Sequence, residues 1–180
     1  MFCYVPIRQK VQTVAYNTPF GVIVGQQVYY EQPTLIVSGG GGISVNVIER
    51  RMSDVLKPLF FKLVSVRNEM KANNAIGNIH GALALIPRMM SAVCEFRNVA
   101  QRCDSVYYQR NMSGVEEGIK IALTAFNVIN GMDISRSQTK INECLKLTST
   151  ILLSISIHMK WSVNGGLYED SNVTRALMAL

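Results

Sequence analysis

The stretch IERRMSDVLKPLFFKLVSVRNEM, residues 48–70, decides the fold. Its apolar residues Ile48, Met52, Val55, Leu56, Leu59, Leu63, Val66 and Met70 recur at three- and four-residue steps. That period puts them on one side of an α-helix, and such a stripe must bury against neighbours. Asn46 with Glu49 three residues on reads as a capping box at the start, and Pro58 predicts a kink.

Toward the C-terminus the same period returns. Ile76, Ile79, Leu83, Ile86, Met90 and Val93 alternate at steps of three and four, with Arg97 ending the pattern and Pro87 predicting a break. Ser113 and Glu116 form a second capping box, opening a helix that carries Val115, Ile119, Ala122, Leu123, Phe126 and Ile129 and stops at Asn130 and Gly131. Ser135 and Gln138 read as the cap of a fourth helix with Ile141, Cys144, Leu145, Thr148, Leu152, Ile155 and Met159, closed by Trp161. Asp170 or Ser171 caps a short last helix reaching Ala179.

Toward the N-terminus the pattern changes. Val11 to Ala15, Phe20 to Tyr30 and Thr34 to Val37 are rich in β-branched and aromatic residues, and Asn17, Thr18, Pro19, Gln32 and Pro33 break them apart. Four glycines, Gly39 to Gly42, follow Ser38 and read as a hinge. A phosphate loop would place Lys and Ser or Thr after the glycines, whereas Ile43 and Ser44 stand there. The expectation is an α+β fold, predominantly α. Residues 1–38 form a three-stranded β meander and residues 39–43 the glycine hinge. Residues 44–180 form a four-helix bundle-like domain with a short C-terminal helix.

Composition bounds the function. Of 180 residues, 48% are apolar and 17% charged, so the chain can fill a core and is not a disordered tail. Met1, Phe2, Cys3 and Tyr4 lack the basic start of a secretory signal, and no apolar run approaches the roughly 18–20 residues of a spanning helix. A cytoplasmic or nuclear location is expected. Cys3, Cys94, Cys103 and Cys144 show no close pairing, so thiols are expected rather than zinc ligands or disulfides. His80 and His158 are the two histidines; neither falls into a metal-binding cluster, and no cofactor or metal is expected.

The formal charge is +6, and residues 44–110 contribute +5 of it. A helical projection places Arg50, Arg51, Lys57 and Lys71 on the flanks and back of the first helix, which predicts a basic ridge facing solvent. With Lys62 and Arg67 on the same helix, and Arg102, Tyr107, Tyr108 and Arg110 further on, the ridge becomes a candidate polyanion-binding surface. There two tyrosines would stack on bases between guanidinium groups. The partners expected are a second copy of the chain, through open strand edges, and a nucleic acid, RNA foremost, or an anionic membrane surface. No small-molecule substrate is expected. The resulting picture is a non-enzymatic basic assembly protein, a composition shared with viral coat and matrix proteins. Two alternatives stand beside it: a small thiol-dependent enzyme using Cys94 or Cys144, and a structural adaptor with no polyanion partner.

Overall fold

The computed structural model describes residues 8–18, 21–31, 45–161 and 170–180, with side chains from residue 47 onward. The chain divides into two units, Met1–Arg51 and Met52–Leu180. In the first, β1 (Arg8–Thr18) pairs antiparallel with β2 (Gly21–Glu31), from Arg8 opposite Glu31 to Thr18 opposite Gly21.

Helices α1 (Val45–Ala75), α2 (Ile79–Leu83), α3 (Ile86–Cys103), α4 (Ser105–Asn111), α5 (Ser113–Asn130), α6 (Ser137–His158) and α7 (Ser171–Met178) make up the rest. This corrects the α+β expectation. The part with described side chains is a helical bundle with no strand. Of the three-stranded meander, the described residues hold β1 and β2; the third strand drawn at Thr34 to Val37 and the hinge at 39–43 lie outside them.

The core forms where the stripes meet. On α1, Met52, Val55, Leu56, Leu59, Leu63, Val66 and Met70 are buried, joined by Phe60 and Val64. Pro58 stands inside the continuous helix, on its exposed side with Asp54. The stripe read from Ile76 to Val93 is corrected. Ile76 is 80% exposed, and the helix breaks after α2 so that Pro87 can sit in the first turn of α3. Beyond the break, Met89, Ala92 and Phe96 face the core with Ile86 and Val93. On α5 and α6 the buried set includes Val115, Ile119, Phe126, Ile141, Cys144, Leu152 and Ile155.

The capping boxes are also corrected. Asn46 lies within α1, Ser135 lies in a 3-10 turn, Ile134–Arg136, ahead of α6, and Ser113 and Ser137 open helices whose caps, Met112 and Arg136, make no side-chain bond. Glu116 is drawn away from its cap role. It accepts from Arg97 Nε at 2.8 Å and from the Tyr108 hydroxyl, tying α3, α4 and α5 together. Asn78, Asp104 and Asp170 are the working caps of α2, α4 and α7, accepting from Gly81 N, from Tyr107 N, and from Asn172 N and Val173 N respectively. Lys140, 8% exposed, reaches back to Asn130 O and Met132 O at 3.1 Å each and satisfies carbonyls at the end of α5. With Gly114 beside His158 at the opposite end, α5 and α6 run antiparallel.

Trp161, the chain's single tryptophan, is fully buried. Its indole N–H donates to Ser53 Oγ at 2.8 Å, and its ring meets Phe60 edge-on at 5.4 Å. The Asp170 N–H donates to Trp161 O at 3.0 Å, so α7 begins where α6 ends.

Burial opposes ionisation of Glu116, but hydrogen bonds from Arg97 and Tyr108 outweigh it and hold the carboxyl below its ordinary value of 4.5. A depressed folded-state pKa means stability that is present above 4.5 and is lost as pH falls through the folded value. Glu116→Gln should therefore cost about 1–3 kcal/mol at pH 7 in urea unfolding followed by Trp161 fluorescence. The gap from wild type should close on acidification below 4.5; an unchanged gap at all pH values would refute the assignment.

Candidate functional site

The cations expected to form one ridge are dispersed. Arg50 is exposed and Arg51 half-buried. Lys57 Nζ lies 2.9 Å from Asp170 Oδ2, and Lys62 Nζ 2.6 Å from Glu95 Oε2. Arg67 is 5% exposed, with Nε donating to Leu145 O at 3.3 Å and Nη2 to Leu180 O at 2.9 Å. Lys71 Nζ donates to Ala179 O at 3.4 Å. The outward stripe of α1 is instead mixed: Arg50, Asp54, Pro58, Lys62, Ser65 and Glu69. The basic ridge is thus corrected. The projection ignored α3 and α7, which cover the flanks of α1 and supply oxygens to its cations.

Arg102 and Arg110 are exposed at the ends of α3 and α4. The tyrosines between them are not a stacking platform. Tyr107 and Tyr108 are 8% and 2% exposed, and burial together with the Glu116 hydrogen bond pushes the Tyr108 phenol up, so it stays a donor.

The thiol chemistry is set by burial. Cys144 is fully buried, and desolvation pushes its thiol up to about 11, with the nearby Lys140 charge only partly opposing it. A nucleophilic thiol needs the opposite shift. His158 lies on the same unbroken helix fourteen residues on, about 21 Å along the axis. Its Nδ1 is engaged 2.8 Å from Ser154 O. Cys94 is half-buried and His80 exposed on α2. Among the described residues no three His, Cys, Asp or Glu side chains converge, and no helix is long and apolar enough to cross a membrane.

A different surface stands out, and no spacing motif marks it. Eight large apolar side chains of the described residues are exposed, and half of them lie on α5 and α6: Ile121 at 62%, Val128 at 66%, Leu153 at 45% and Ile157 at 62%. Ile121 and Val128 stand seven residues apart, and Leu153 and Ile157 four apart, so each pair shares a side of its helix. Between the helices runs a groove of about 250 Å³, lined by Val115, Gly118, Ile119, Ile121, Ile151 and Ser154 among others. Its floor is open above Gly118, where an added Cβ would meet nothing within 4 Å. The signal was in the sequence. These four residues fall off the buried stripes of their own helices, so they are apolar without a core to explain them.

Comparison with protein-family models, curated proteins and solved structures returned no match. Function is therefore read from this surface chemistry alone.

Alkylation of the native protein with iodoacetamide at pH 8 should leave Cys144 unmodified until unfolding, while the half-buried Cys94 and Cys103 react first. Mass spectrometry of the peptides reads this directly. Rapid labelling of Cys144 at pH 6.5 would restore the thiol enzyme.

Proposed function

We propose that this chain is a non-enzymatic assembly protein whose helical bundle self-associates through the outer face of α5 and α6. The carrying observation is the apolar groove between α5 and α6, lined by Val115, Ile119, Ile121, Leu147 and Ile151, with Ile121 exposed at its edge and Val128, Leu153 and Ile157 exposed elsewhere on the same two helices. An apolar groove open to solvent is the mark of an interaction site, whereas apolar residues scattered singly carry no meaning.

A second copy is the occupant this face suits. It carries projections and a hollow together: Ile121 and Ile157 protrude, and the space above Gly118 is empty. A two-fold interface buries the same patch of both molecules against itself, so each copy must supply both shapes. The outward side of α1 offers no comparable surface, being lined by Arg50, Asp54, Lys62, Ser65 and Glu69. The buried, high-pKa thiol of Cys144 supports the non-enzymatic reading over the thiol alternative.

Light scattering coupled to size exclusion tests it. The full chain should run as an oligomer, and Ile121→Glu with Ile157→Glu should reduce it to a monomer while the helical circular dichroism is unchanged. Each charge would have to be buried unpaired in the interface, a cost of several kcal/mol. A wild-type chain that is monomeric at tens of micromolar, or a double variant with unaltered mass, removes the proposal.

A further inference from the structure

We propose that, when the bundles of two copies associate, β2 of one copy pairs antiparallel with β2 of the other about a two-fold axis through Gln26. Two hairpins then become one four-stranded sheet. The pairing rests on the bundle interface for its strength and on the hairpin alone for its geometry.

The hairpin has edges to fill. Its two 11-residue strands make a sheet of order β1-β2, and each has one side without a neighbouring strand among the described residues. Two strands alone are marginal in water, and further strands are what give a sheet independent stability. The two edges are not equivalent. β1 carries Arg8 and Lys10, charges of the kind that discourage edge pairing, whereas β2, GVIVGQQVYYE, has no Lys, Arg or Pro. The one charged residue of β2, Glu31, stands at its end, opposite Arg8 of the same hairpin.

The order of residues along β2 selects the occupant. A two-fold axis perpendicular to the sheet at Gln26 sets residues equally far on either side of it opposite each other. Val24 then meets Val28, Ile23 meets Tyr29 and Val22 meets Tyr30 of the second copy, and symmetry repeats each pair. Pairs of β-branched and aromatic residues are the cross-strand partners that stabilise antiparallel sheets. With the axis moved to Gly25, only Val22 with Val28 survives as such a pair; at Gln27, only Val24 with Tyr30 does. A strand that is its own complement fits a second copy, whereas pairing with an unrelated strand requires no such symmetry. Alternate residues of a strand share a face, and about Gln26 even-numbered positions meet even-numbered ones. The row of Val22, Val24, Val28 and Tyr30 therefore continues into the second copy. On β1, Ala15 stands opposite Val24 and Val11 opposite Val28, which widens the same row.

One edge of a marginal hairpin is too weak to hold two chains in dilute solution. Tethering to associated bundles raises the local concentration of hairpins to about the millimolar range, and there the pairing forms.

The test is disulfide formation in the full chain, with Cys3, Cys94 and Cys103 replaced by serine. Opposed Cα atoms of antiparallel strands lie about 4.5–5.5 Å apart, within the roughly 4.4–6.8 Å that a disulfide spans. Under mild oxidation Gln26→Cys should link to its own counterpart across the axis. Val24→Cys should not, because its counterpart is displaced by four residues, about 13 Å; mixed with Val28→Cys it should link. At tens of micromolar, Gln26→Cys should give about tenfold more linked dimer than Val24→Cys, and adding Ile121→Glu with Ile157→Glu should abolish the difference. Equal linking of Gln26→Cys and Val24→Cys overturns the pairing. So does an absence of linked Gln26→Cys in a chain that light scattering shows to be dimeric, a result that leaves the bundle interface standing. A monomeric mass removes both.

Discussion

A cation on the flank of a buried helix has to be given an oxygen, and this requirement organises the bundle around α1. The apolar stripe from Met52 to Met70 is covered on its own side by hydrophobic packing. The neighbouring flank carries Lys57 and Arg67, which cannot be buried bare, while Lys62 stands on the exposed side. Glu95 of α3 answers Lys62, Asp170 at the cap of α7 answers Lys57, and carbonyls of Leu145 and Leu180 answer Arg67. The places where α3, α6 and α7 touch α1 are therefore fixed by polar groups as well as by side-chain volume. The same logic acts once more at Glu116, where Arg97 and Tyr108 converge from α3 and α4.

That organisation explains what could be read in advance. Periodicity located the buried side of α1, α5 and α6, because a stripe depends only on residues three and four positions apart. It could not assign the flanks. Lys62 meets Glu95 across 33 positions, and Arg67 meets Leu180 across 113. A projection of one helix treats both cations as solvated, and so it drew a ridge where the fold has ion pairs. The seam from Ile76 to Val93 misled for a local reason. Pro87 starts a new helix, so the seam joined two helices: Ile86 and Val93 beyond the break are buried, while Ile76 before it is exposed. The capping boxes at Asn46, Ser113 and Ser135 had the right residues, but a tertiary partner outbid the cap at Glu116 and the helix starts shifted at the other two.

The two outer faces now divide the work differently from the sequence expectation. Charge on the α1 side is largely paired or mixed in sign, while α5 and α6 turn apolar residues outward. Exposed apolar surface therefore lies on α5 and α6, while Lys57, Lys62 and Arg67 of α1 are engaged within the molecule.

Pro58 has a consequence of its own. It stands within the 31-residue α1 without ending it. A proline has no amide hydrogen, so the carbonyl four residues earlier, that of Asp54, loses its usual helical donor. Both residues lie on the exposed side, where solvent can take the donor's place. The missing rung sits on the outer rail of the ladder, and the inner rail against the core stays whole. Long helices bow with their convex side to water, and a gap on that side gives the rod a place to flex without loosening its grip on the core.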